Sequence, residues 1–93
     1  MNLQSTVRLS QNQVSCNLGG EAAILNLKSG IYFGLNPMGA AIWKLLDEPR
    51  TIDYLRAKIL ENYTVEPERC EQDLFQLLDE LNQNGLIELV DAA

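Results

Sequence analysis

The chain has 93 residues and a formal net charge of −6, from 7 Lys and Arg against 13 Asp and Glu. It contains no histidine, which excludes a Ser-His-Asp triad, a Cys-His dyad or a His-ligated metal within the chain. Its acidic balance is a poor match for a phosphate backbone, and hydrophobic and charged shares of 46% and 22% describe one folded domain rather than an acidic tail. A domain of this size buries only roughly 60–65% of the surface its unfolded chain exposes. That allows one small core and little room for a deep enclosed active site.

The first third of the chain reads as short strands. Thr6–Ser10 and Val14–Leu18 flank the polar Gln11-Asn12-Gln13 segment, and Gly19-Gly20 breaks the chain. Glu21–Leu27 and Ile31–Leu35 are apolar runs joined by Lys28-Ser29-Gly30. Two such runs separated by three residues ending in Gly predict a hairpin. In the second run, alternation puts Ile31, Phe33 and Leu35 on one face and Tyr32 and Gly34 on the other. Phe33 is expected toward the core and Tyr32 toward the open face.

Asn36-Pro37 predicts a helix start, because Asn caps well and Pro at the first helical position lacks only an N–H that would be unpaired anyway. Met38, Ile42, Leu45 and Leu46 follow helical spacing, and Pro49 ends the segment. Trp43 flanks this stripe as an expected core anchor. Thr51 caps a second predicted helix, whose apolar face carries Ile52, Leu55, Ile59 and Leu60. A third starts at Pro67, with Cys70, Leu74, Leu77, Leu78 and Leu81 forming an amphipathic stripe. Gly85 stands where a left-handed C′ residue belongs, and Leu86–Val90 reads as a terminal strand or extended tail.

The expected architecture is therefore α+β: a small N-terminal antiparallel sheet of three short strands within about residues 6–35, then helices at about 37–47, 51–62 and 67–84. The arrangement is winged helix-turn-helix-like, and the chain reads as a single domain over 1–93. No stretch approaches the roughly 20 apolar residues of a membrane span. The polar N-terminus lacks the apolar run of a secretory signal, so a cytoplasmic location is expected. Cys16 and Cys70 form no CxxC pair and read as small buried or half-buried thiols.

Helix order alone allows a winged-helix DNA reader, but charge opposes it. Between Glu66 and Asn84 stand Glu66, Glu68, Glu71, Asp73, Asp79 and Glu80, against Arg69 as the lone base. That face would lie beside phosphates spaced about 1.7 Å per charge along the duplex axis. No nucleic acid and no membrane are expected as partners.

From about Val7 to Leu89 the sequence resembles the PqqD-like family of precursor-peptide recognition domains. Gly20–Leu27 matches the family's second strand, and Ser29–Asn36 its turn and third strand. Gly39 and Ile42-Trp43 fit the first helix, while Asp73, Leu78 and Leu81 through Gly85-Leu86 fit the third helix and its exit. Lys28-Ser29-Gly30 replaces the Pro-Glu-Gly-like turn of the pyrroloquinoline quinone branch. Tyr32–Asn36 and Ile42-Trp43 look more like the stand-alone domains of lasso-peptide pathways.

The resemblance implies a peptide chaperone with no chemistry or cofactor of its own. Its partner would be the leader of a ribosomally made precursor, added as a strand beside the third strand and packed against the third helix. The peptide-contacting residues would be Ile31, Tyr32, Phe33, Gly34 and Leu35, with Cys70, Asp73, Leu74 and Leu77. A cysteine peptidase that removes the leader, and an ATP-dependent cyclase after it, would be the further partners. The physical case agrees: Ile31–Leu35 carries no charge or Pro to block pairing with an extended peptide.

Overall fold

Val7 finds its backbone partners far along the chain, not in the neighbouring apolar run. The computed structural model describes residues 1–90. Its first strand, β1 (Thr6–Leu9), lies between β5 (Arg50–Thr51) and β6 (Ile87–Val90), antiparallel to both. The next three strands, β2 (Gln13–Asn17), β3 (Ala22–Asn26) and β4 (Tyr32–Leu35), form a separate antiparallel sheet in chain order. The expected N-terminal sheet is thus β2-β3-β4, while the Thr6–Ser10 run belongs to a second sheet. The reason is burial. Val7 is fully enclosed, and its cross-strand neighbours Arg50 and Leu89 come from segments that also bring core residues Ile52, Leu86 and Ile87. Arg50–Thr51 gave no strand signal because two residues are too few to show alternation.

The predicted hairpin is present, with Ala22 opposite Leu35 and Leu25 opposite Tyr32. Gly30 turns it at φ 72°, a conformation that favours glycine. Three helices follow: α1 (Pro37–Leu45), α2 (Ile52–Asn62) and α3 (Pro67–Gln83). The caps act as their chemistry requires. Asn36 Oδ1 accepts from Gly39 N at 2.8 Å, and Thr51 Oγ1 accepts from Tyr54 N at 3.1 Å. α3 closes with Leu86 N donating to Leu81 O at 2.9 Å and Gly85 N to Asn82 O at 3.1 Å, with Gly85 at φ 71°. Those bonds form a Schellman motif, so carbonyls of the last helical turn do not go unpaired.

The helices cover one face of the β2-β3-β4 sheet. Ala22, Ile24 and Leu35 from that face join Ile42, Trp43 and Leu46 of the α1 region, Leu55 and Ile59 of α2, and Leu74, Leu78 and Leu81 of α3 in one buried cluster. The α3 stripe is nearly all core, with Cys70, Leu74, Leu78 and Leu81 buried and Leu77 half-buried. Trp43 is likewise buried as expected, and no helix among the described residues is long and apolar enough to cross a membrane.

Leu78 is wholly enclosed, whereas Leu27 is 54% exposed. Leu78→Ala is expected to lower unfolding free energy by about 2–5 kcal/mol through lost burial and a residual cavity. Leu27→Ala should change it by less than about 0.5 kcal/mol. Urea denaturation of both variants checks the contrast.

Candidate functional site

The parity of β4 decides what its edge offers. Asn26 N donates to Ile31 O at 3.0 Å, which makes Asn26 and Ile31 a bonded pair. Bonded and non-bonded pairs alternate along an antiparallel ladder. Phe33 and Leu35 therefore turn their N–H and C=O toward β3. Tyr32 and Gly34 turn theirs away from it, and among the described residues β4 has no neighbouring strand on that side. The exposed edge is uncharged and contains no proline.

Side chains follow the same parity. Ile24 and Phe33 stand opposite each other on the inner, helix-facing side, as do Ala22 and Leu35. Leu35 is 4% exposed and Phe33 is half-buried against the core. Ile31 shares that face but is 62% exposed, because it lies at the turn end of the hairpin, just before β4 begins. On the outer side Val14, Leu25 and Tyr32 form one cross-strand row. Tyr32 is 70% exposed, and a Cβ on Gly34 would meet nothing within 4 Å. The expected division, Phe33 inward and Tyr32 outward, holds.

A groove of about 360 Å³ opens beside the end of β4, where Asn36 follows the strand. Its α3 wall is built by Cys70, Asp73, Leu74, Gln76, Leu77 and Glu80. Met38, Gly39 and Ile42 of α1 also line it, with Ile59 of α2 and Val65. The four α3 residues singled out from the sequence thus share one groove. None of the five strand residues lines it; Asn36, which follows Leu35, does. Sequence reasoning missed Met38, Ile42 and Ile59 as groove residues because their helical spacing already assigned them to the core. The signal for Val65 was an apolar residue in a loop, 37% exposed.

The groove floor is apolar and its rim is acidic. Leu74 and Cys70 are buried, while Asp73 and Glu80 are exposed. Asp73 has one cationic neighbour, Arg69, at 3.9 Å and largely in solvent, a pair worth little in stability. Burial pushes the Cys70 thiol above its usual range, aided by the nearby Asp73 and Glu71 carboxylates and partly offset by Arg56. A thiol held protonated and enclosed is a packing group rather than a nucleophile.

The profile of one protein family, coenzyme PQQ synthesis protein D (PqqD), matches residues 21–87. Among curated proteins none matches. Among solved structures, TbiB1 in complex with the TbiA(beta) leader peptide is 32% identical, with a TM-score of 0.82 over 92% of this chain and 99% of that one. A lasso peptide synthetase B1 complexed with the leader peptide is 24% identical, with a TM-score of 0.72 over 88% of this chain and 96% of that one. The second likeness speaks to the fold.

Cys70 is buried as expected, whereas Cys16, read from the sequence as buried or half-buried, is exposed, because it lies on the outer strand β2, whose residues from Val14 to Asn17 are all exposed. In the native protein at mildly alkaline pH, iodoacetamide should modify Cys16 and leave Cys70 unmodified until denaturant is added. Peptide mass mapping reads the two sites separately.

Proposed function

The chain belongs to the PqqD family, and from that premise we propose that it binds the leader segment of a ribosomally synthesised precursor by strand addition to β4 and packing against α3. One observation carries this reading: the outward N–H and C=O groups of Tyr32 and Gly34 lie at an uncharged, uncovered edge, and an apolar-floored groove opens at the end of the same strand. An extended peptide laid on that edge completes its hydrogen bonds and sends alternate side chains to the helix-facing side. Ile31 and Phe33 then flank the inward side chains, and Cys70, Leu74 and Leu77 floor the place where they settle. Asp73 stands at the rim, within reach of a basic leader residue. The likeness to TbiB1, a leader-peptide complex at 32% identity, supports the same reading.

The energetics suit a carrier. About four main-chain bonds at roughly 1 kcal/mol net and two buried apolar anchors at roughly 2 kcal/mol each exceed the few kcal/mol lost in ordering the leader. The balance corresponds to an affinity around micromolar. The protein acts as one recognition domain without chemistry of its own. It presents the leader to a separate cysteine peptidase that removes it, ahead of an ATP-dependent cyclase in a lasso-peptide pathway.

Gly34→Pro tests strand addition directly. The Gly34 N–H faces the free edge, so proline there removes the donor that an acceptor of the incoming strand would use, while the β3 ladder keeps its bonds. The titration uses the fluorescently labelled TbiA(beta) leader peptide, the one bound in the 32% identical structure. The variant should bind it at least about tenfold more weakly than wild type, with a melting temperature lowered by only a few degrees. Undiminished leader affinity in Gly34→Pro would overturn strand addition at β4.

A further inference from the structure

Asn26 ends β3, and its side chain works in two directions. Its Oδ1 accepts from Lys28 N at 2.9 Å and Ser29 N at 3.1 Å, which shapes the turn leading into β4. Its Nδ2 donates to Asn84 O at 2.7 Å, at the C-cap of α3. The Schellman closure leaves the Asn84 carbonyl outside its own bonds and available to that amide. A Cβ on Gly85 would lie 3.3 Å from the Asn26 Nδ2, so the glycine also makes room for the contact. Among the described residues this is the only hydrogen bond between the β2-β3-β4 sheet and α3.

We propose that Asn26 is a positioning residue for leader binding: its amide fixes the spacing between the β4 edge and the α3 wall of the groove. The inference rests on the leader-binding reading above. A leader that pairs with β4 and packs on α3 touches both elements at once. Pre-setting their separation removes an ordering cost that binding would otherwise carry. Asn26 itself touches no part of the leader. It acts through the hairpin whose turn it builds and the helix end it holds.

Asn26→Asp separates its two roles. The carboxylate keeps an acceptor for Lys28 N and Ser29 N but loses the donor to Asn84 O and sets negative charge against that carbonyl. Two measurements are made well below the melting temperature. In the first, leader affinity of N26D should fall by about fivefold to tenfold, the equivalent of one hydrogen bond. In the second, spin labels at Tyr32→Cys and Gln72→Cys, on a Cys16→Ser background, report the strand-to-helix distance by pulsed electron resonance. The distribution should be narrow with Asn26 and broadened with N26D, in the absence of any leader. An unbroadened distribution, or a broadened one with unchanged affinity, overturns the proposal. A wild type that binds no leader would sink the leader-binding reading instead, and the label distances then decide by themselves whether this amide sets the spacing.

Discussion

A backbone N–H or C=O at the border of a sheet needs a partner, which water, a side chain or another strand can supply. The fold is organised around where those groups are left. Within β4 a single parity assigns them: Phe33 and Leu35 bond inward to β3, and Tyr32 and Gly34 face outward. The same parity places Leu35 in the core and Tyr32 in solvent. A slip of one residue would reverse both assignments, burying the open groups and exposing the core side chains. The register is held from both ends. Gly30 and the Asn26 turn fix the start of the strand, and the enclosed Leu35, followed by the Asn36 cap, fixes its end.

The groove and the hydrophobic core share residues. Cys70 and Leu74 floor the groove and also belong to the buried cluster, and Ile42 and Ile59 do the same from α1 and α2. Changes to these positions act on folding and on the groove together. The strand edge differs, because its open groups belong to the backbone and support no core contact. Under the proposed strand addition, recognition by main chain would leave side chains free to vary, and selectivity would fall to the groove beside it.

Much of this was legible from residue patterns, and the limits have physical causes. The hairpin was readable because Gly30 and the flanking apolar runs are local signals. The helices were readable because Asn36, Thr51, Pro37 and Gly85 mark their ends chemically, and the Cys70–Leu81 stripe marks a face. The outward setting of Tyr32 followed from alternation. The second sheet was not readable. It joins Thr6 to Val90 and Val7 to Arg50, and a short run carries no mark of a partner so far along the chain. The α1 wall of the groove was hidden for a related reason, since a half-buried Met38 or a buried Ile42 has the same spacing whether it lines a cleft or a core. The Asn26 clamp was invisible because it joins two turns, each complete by its own rules.

The pairing of Thr6 with Val90 has an architectural consequence. The first and last strands of the described residues lie side by side in one sheet, whereas the open edge of β4 belongs to the other. The sheet that closes the chain on itself and the sheet that offers a free edge are thus different ones, and the long-range pairing draws on none of the backbone groups that β4 leaves open.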